Sequence, residues 1–265
     1  MRILEPYIAY FKKSFLSKSA YRFDHLMSIL STCLRIFIFW EIYRALYGTK
    51  QEVDGITMAM VTTNFILSMG LDAVFYMNDY FLPNKIYDGS IAIELLRPMS
   101  FQGRMIAENL GCAVFQLMFH FTPSFVIALL LIGILPPASP VMLLGFLVSA
   151  VFGYGVMWSI SFAIQMLSFW AINMWSVSTL KNVCVNVLSG TMIPLWFMPD
   201  WMEQVIRFTP FSSIYFTPVQ IYLGQLSGIE ILEKCGIQLI WMIVIYCIGN
   251  ILWKCGQRKL VVQGG

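Results

Sequence analysis

Charge is what this sequence has least of. Of its 265 residues only 12% are Asp, Glu, Lys or Arg, against roughly 25% in a soluble domain. There are two histidines, His25 and His120, far apart in sequence, and no H-E-x-x-H, so no metallohydrolase set is visible. The six cysteines (Cys33, Cys112, Cys184, Cys235, Cys247, Cys255) include no C-x-x-C pair. Neither a zinc site nor a redox dithiol is expected, and most of these cysteines lie in apolar runs as small packing residues. No G-x-x-x-x-G-K-[ST] loop is present to cradle nucleotide phosphates, and no G-x-S-x-G elbow to present a nucleophile. A net charge of +3, dispersed along the chain, does not suit nucleic acid. No cleavable signal peptide is expected, because the first apolar stretch begins near Leu26 and is too long for a signal core. Whatever work the chain does draws its energy from elsewhere.

In place of charge stand long apolar runs. Hydrophobic residues make up 58% of the chain and the mean hydropathy is +0.73. A membrane helix needs about 20 mostly apolar residues. Six segments qualify: Leu26–Tyr47, Thr57–Met77, Leu110–Ile134, Met142–Trp170, Val177–Phe197 and Gly236–Trp253. Barrel strands would alternate over about ten residues, which these do not. The expected fold is all-α: one polytopic membrane domain over residues 1–265 with six transmembrane helices. The fourth segment is long for a perpendicular span, and Gly153 and Gly155 mark the expected place for a bend.

Lys and Arg collect on the cytoplasmic side of membrane proteins. Here Arg2, Lys12, Lys13, Lys18 and Arg22 precede the first span, Lys85, Arg97 and Arg104 lie between the second and third, and Lys254, Arg258 and Lys259 follow the last. The alternate gaps hold Lys50, Arg207 and Lys234 against Glu52, Asp54, Asp200, Glu203, Glu230 and Glu233. Both termini are expected to be cytoplasmic.

The polar segments carry the functional signal. Residues 1–25 read as an amphipathic helix lying at the inner leaflet, with Leu4, Tyr7, Ile8, Phe11 and Phe15 on one face and Lys12, Lys13, Ser14 and Ser17 elsewhere. It is either an anchor or an elbow that moves the first span. Residues 78–103 form the longest cytoplasmic stretch, punctuated by Pro83, Gly89 and Pro98. Ile86, Tyr87, Ile91, Ile93, Leu95 and Leu96 make it too apolar for an idle loop. It packs on the chain's own helix ends or docks a cytoplasmic partner. Residues 198–234 are expected outside, as short helices in or dipping into the outer leaflet and folded against the tops of the spans. Asp200 and Glu203 have capping-box spacing, and Pro218 breaks the second stretch.

Within the spans, Arg35 costs roughly 2.5–3.5 kcal/mol unless paired, and Asp72 is its candidate partner. Glu41 and Arg44 can pair locally. Asn64 lies mid-span in the second helix, and His120, with Gln116 one turn before it, in the third. These groups are either structural pairs or, as Asp72, Glu41 and His120, a proton path. The latter is the alternative function, an ion-gradient-driven secondary carrier.

In order, AYFKKSFLSKSAYRFD, ALYG, DGSIAIELLRPMSF, SGTMIPLWFMPDW, PFSSIYFTPVQIYLGQLSG and the terminal VQGG resemble the permease subunits of type-2 ATP-binding-cassette (ABC-2) exporters, in their six-span branch of about this length. The resemblance runs nearly end to end. It implies a non-catalytic permease subunit in the bacterial cytoplasmic membrane, in contact with lipid, paired with a second permease chain as homodimer or sister pair. It binds no cofactor itself; ATP and Mg belong to the partner ATPase subunit. It also implies ATPase coupling through Asn84, Lys85, Ile86, Tyr87 and Asp88, a break at Gly89, and a return to the membrane through Leu95, Leu96, Arg97 and Pro98. FLPNKIYDG, with Pro83 and only Lys85 and Asp88 charged, leaves room for a short coupling helix. The N-terminal helix becomes a connecting element beside that contact, and the exterior helices a lid.

Overall fold

The computed structural model describes residues 4–171 and 173–260. Arg2 and the terminal VQGG lie outside them. The elements are α1 (Glu5–Ser19), α2 (Arg22–Tyr47), a hairpin of β1 (Glu52–Val53) and β2 (Ile56–Thr57), α3 (Met58–Val74), α4 (Phe81–Tyr87), α5 (Ile91–Leu95), α6 (Phe101–Gln116), α7 (Thr122–Leu131), α8 (Pro140–Met166), α9 (Met174–Leu188), α10 (Asp200–Arg207), α11 (Phe216–Tyr222) and α12 (Gly228–Leu260). A five-residue π turn, Leu117–Phe121, joins α6 to α7.

Among the described residues, four helical stretches are long and apolar enough to cross a membrane: Phe23–Tyr47, Phe101–Leu131, Pro140–Phe169 and Gly228–Lys259. α3 has 17 residues and α9 has 15, or about 26 and 22 Å at 1.5 Å per residue. The second and fifth apolar segments are therefore shorter helices than expected. After Val74 the chain leaves helical geometry until Phe81, and after Leu188 it turns through Gly190.

The hairpin was not expected from an all-α pattern. Its turn is Asp54-Gly55, with both residues at positive φ (52° and 76°), the geometry a two-residue hairpin needs and Asp-Gly favours. Val53 pairs with Ile56 across it.

The segment after α9 folds against the long helices as expected, but more deeply. α11 is not an interfacial helix: every residue from Phe216 to Tyr222 is buried, and the helix packs on α8 and α3. Pro218 does not break it, because Pro218 occupies the first turn, where a missing N–H leaves no intrahelical bond unmade. α10 forms where expected, yet Asp200 is its first helical residue rather than its cap. Pro199 C=O accepts from the N–H groups of Met202 and Glu203, and Glu203 binds Arg207 at 2.6 Å instead of closing a capping box.

Irregular backbone inside a bundle must have its polar groups met. The Gln238 amide of α12 does this: it donates to Ser213 C=O at 2.7 Å and Ser149 C=O at 3.1 Å and accepts from Ser149 Oγ at 3.0 Å. α8 itself runs as one helix through Gly153 and Gly155. Gly153 serves close approach: a Cβ there would lie 2.5 Å from Ile214 C=O. The core is centred on α8, α12 and the elements they hold, with Phe162 stacked on Trp158 and Phe101 on Trp253.

α1 lies along α6 with Tyr7, Phe11 and Phe15 of the expected apolar arc against it: Gly103 and Gly111 let Tyr7 and Phe11 approach closely, and Phe15 meets Phe115 edge-on. Ser14, expected on the polar side, donates to Glu108 C=O at 2.7 Å, while Leu4 and Ile8 are exposed. Tyr7 OH accepts from the Ser100 N–H at 3.2 Å. Polar bonds from Ser14 and Tyr7 join the aromatic part of that arc in fixing the helix on α6.

Replacing Gly153 by Val is expected to force the Ser213–Tyr215 backbone off α8 and destabilise the fold by about 1–3 kcal/mol. Thermal unfolding of the detergent-purified chain measures it; an unchanged Tm would mean that segment is not seated on α8.

Candidate functional site

The segment between α3 and α6 is braced from below by a cluster of ions. Glu94, on α5, is buried and takes Lys85 Nζ of α4 at 2.7 Å, Arg97 at 3.5 Å and Arg104 of α6 in direct contact. Arg104 also reaches Glu108 at 2.9 Å and lies 4.3 Å from the ring centroid of Tyr10 on α1. Arg97 donates to Tyr10 OH. Burial alone would raise the Glu94 carboxyl, but the Lys85 hydrogen bond and the charges of Arg104, Lys85 and Arg97 hold it below the usual carboxylate range.

Above this brace the segment is short and partly uncovered. α4 has seven residues and α5 has five, with Gly89 at φ 73° turning the chain between them. Leu82 and Ile91 are buried and Ile86 half-buried. The remaining apolar side chains are not covered: Tyr87 is 91% exposed, Leu96 85%, Ile93 63% and Leu95 39%. Asn84, Asp88, Arg97 and Pro98 are exposed beside them. The segment packs on its own chain with one face and leaves an apolar face free.

The intramembrane candidates divide in two. Arg35, Asp72 and His120 line one cavity of about 320 Å³, with Gln116, Lys181, Asn182 and Asn186 also in its wall. The expected Arg35–Asp72 ion pair does not form. Asp72 Oδ1 instead accepts from Tyr215 OH at 2.9 Å, and Arg35 donates to Thr32 Oγ1 at 3.4 Å. Tyr215, fully buried and stacked on Phe75, descends from the exterior segment, whose depth the sequence did not reveal. His120 sits in the π turn, with Nε2 at 3.0 Å from Ser28 Oγ and 3.3 Å from Thr32 Oγ1. Its Nδ1 and Gln116 Oε1 have no partner among the described residues.

Glu41, Arg44 and Asn64 stand apart from that cavity. Glu41 and Arg44 pair at 3.5 Å on an exposed face. Asn64 is fully buried in α3, with neither amide atom bonded among the described residues. Asp72 and His120 thus share a wall without Glu41, so the three do not line a single proton path.

The strongest polar constellation was not anticipated. Asp79, just past α3, is buried and accepts from Lys181 Nζ of α9 at 2.5 Å, Ser178 Oγ at 2.8 Å and Ser161 Oγ of α8 at 2.5 Å. Next to it, Gln165 Oε1 of α8 accepts the Leu82 N–H at 3.2 Å. Lys181 also forms part of the cavity wall. One clasp therefore joins the α3–α4 connection to the helices around the cavity.

A comparison with protein families matches residues 29–264 to the ABC-2 family transporter proteins. The chain belongs to the ABC-2 transporter family. No curated protein and no solved structure matches it. As an ABC-2 permease it is a multi-pass membrane protein and a component of a transporter. In this permease a signal for the clasp existed: Lys181 interrupts the apolar run Val177–Phe197, and a lysine there demands a carboxylate. Asp79 was hidden among loop residues.

Removing one member of a buried pair leaves the other charge uncompensated, which costs about 3–5 kcal/mol. Lys181→Met is expected to destabilise the permease by that amount, and Asp79→Leu with Lys181→Met to recover most of it. Thermal unfolding of the singles and the double checks this; additive losses would show that the two side chains do not act as a pair.

Proposed function

We propose that this chain is the membrane-embedded, non-catalytic subunit of an ATP-driven exporter in the bacterial cytoplasmic membrane. A separate ATPase binds ATP and Mg below it, and a second permease chain, identical or a sister, completes the pathway. α3 and α9 join the four longer helical stretches as the short members of a six-span set. Both termini face the cytoplasm, and α1 lies at the inner leaflet beside the ATPase contact.

The observation that carries this reading is the uncovered apolar face of Tyr87, Ile93, Leu95 and Leu96 on a segment stiffened by the Glu94 ion cluster. An idle loop would bury such residues or lack them, whereas a docking element needs apolar anchors on a rigid base. The bonds beneath it give a route for force. Closure of the ATPases presses on α4 and α5. Arg104 passes the load to α6, Tyr10 to α1, Gln165 to α8, and the Asp79 clasp to α9. Of those helices α6, α8 and α9 line the polar cavity through Gln116, Met157 and Lys181, so movement below reshapes it. The permease supplies the path and the coupling; bond cleavage happens in the partner.

Leu96→Asp, and separately Tyr87→Ala, are expected to cut ATPase co-purification with the tagged permease by at least about ten-fold, the loss of one interfacial hot spot. Permease yield and monodispersity should stay at wild-type level. ATPase recovery at wild-type levels from both variants would sink the docking assignment.

The brace also has a sign in pH. The Glu94 carboxyl is held below its unfolded value, so its stabilisation is complete above the ordinary glutamate pKa of about 4.3 and fades as pH falls through the lower folded value. Amide exchange of residues 90–104 should be as protected at pH 5 as at pH 7. Glu94→Gln should lose that protection at both.

A further inference from the structure

The cavity beside α2 holds two opposite charges that do not meet. Arg35 makes no ion pair among the described residues, and its one bond, to Thr32, is long at 3.4 Å. Asp72 Oδ1 accepts from Tyr215 OH, and among the described residues Asp72 is the only carboxylate in the wall. Lys181, the other cation there, is neutralised by Asp79. The wall therefore carries one guanidinium and one carboxylate, separated and both facing the same space. His120 Nδ1 and Gln116 Oε1 add buried polar atoms with no partner among the described residues.

At about 320 Å³ the space lies at the bottom of the range for ligand pockets, roughly 300–1,000 Å³. It fits a polar headgroup and not a whole amphiphile. The cavity is not closed toward the surface: Arg35 is exposed as well as lining it. Along α2 the residues three and seven places on from Arg35, Ile38 and Ile42, share its face and are 54% and 47% exposed. Toward the other end of that face lie Ser28 and Thr32, which bind His120. The stripe thus runs from polar to apolar, with the lone cation at the join.

We propose that this cavity binds the zwitterionic headgroup of an amphiphile, its anionic group on Arg35 and its ammonium group toward Asp72, with the tail lying along Ile38 and Ile42. The assignment rests on the permease reading and names the cargo class for it. An unpaired guanidinium in a lipid-facing setting is costly until an anion meets it, and phosphate suits its donor fork. A purely anionic headgroup would leave Asp72 uncompensated, and a purely cationic one would leave Arg35 so.

The test is native mass spectrometry of the full-length permease with lysophosphatidylethanolamine, lysophosphatidylglycerol (same tail, anion only) and dodecyltrimethylammonium (cation only). Free phosphoethanolamine serves as competitor. The wild type should prefer the zwitterion. Arg35→Gln should weaken it at least about ten-fold, as expected for loss of a charge-assisted bidentate contact, and Arg35→Lys should recover part. Asp72→Asn, which keeps an acceptor for Tyr215, should weaken the zwitterion, leave the anion unchanged and so erase the preference. Equal wild-type binding of zwitterion and anion, or indifference to Arg35→Gln in monodisperse protein, would overturn the site. Displacement of the lipid by an equal concentration of phosphoethanolamine would overturn its assignment to an amphiphile. ATPase co-purification is scored separately: its loss with lipid binding intact would remove the exporter reading and leave the site.

Discussion

The buried Asp79–Lys181 clasp is the interaction on which the arrangement of this permease depends. Two charges away from water are tolerated only when their remaining bonding capacity is met, and here Ser161 and Ser178 meet it from α8 and α9. The pair is satisfied only while the end of α3, α8 and α9 keep their mutual register. α9 needs such a tie. It is short, and much of its surface, including Trp175, Leu180 and Val183, is exposed. Packing on α8 is its main support within the chain. The ion pair fixes in one place what a longer, better-packed helix would fix along its length.

The same logic recurs where the backbone is irregular. The exterior segment enters the bundle deeply enough for Tyr215 to reach Asp72, fourteen residues past the start of α3. That descent carries backbone carbonyls into an apolar surround, where an unmet group costs several kcal/mol. Gln238 answers at Ser213, while Gly153 lets the chain close against α8. Gln165 plays the matching part at the other end by accepting the Leu82 N–H. Single amides placed inside long apolar helices thus hold both the segment before α11 and the start of α4 to the bundle.

The order of its polar motifs made the family resemblance legible in the sequence, and apolar runs made most helix positions so. Arg35, Asp72 and His120 stood out because charge inside an apolar run is conspicuous, and they do share a cavity. Their partners were not legible. Asp72 bonds a tyrosine that lies 143 residues on, and no local spacing announces such a contact. The part Ser14 plays in seating α1 was not legible, because serine counts as polar on a wheel, although a hydroxyl that donates to Glu108 C=O is a contact residue. The exposed face of α4 and α5 was legible in kind, since those residues read as too apolar for a loop. Which of them turn outward depended on Glu94, a buried charge in a stretch read only for its apolar members. The Asp54-Gly55 pair favours a two-residue hairpin, but it lay in a gap read only for its charges.

The cavity is held at two points of unequal stiffness, and that inequality bears on how a permease could be driven. On one side Asp79 is fixed by an ion pair and two hydroxyls. On the other, Asp72 is held by a single phenol from the exterior segment. A displacement entering through α4 meets the stiff joint first and moves α9 with it, because breaking that joint would strand a buried charge. The strain then falls on the weaker contact, where one hydrogen bond of about 0.5–1.5 kcal/mol net keeps Tyr215 against the cavity wall. The π turn at His120 adds a second place of compliance, since π turns loosen the regular helical ladder. The two contacts thus differ in what it costs to break them: the Asp79 joint holds α9 to the end of α3, and the Tyr215–Asp72 bond is the one that yields first.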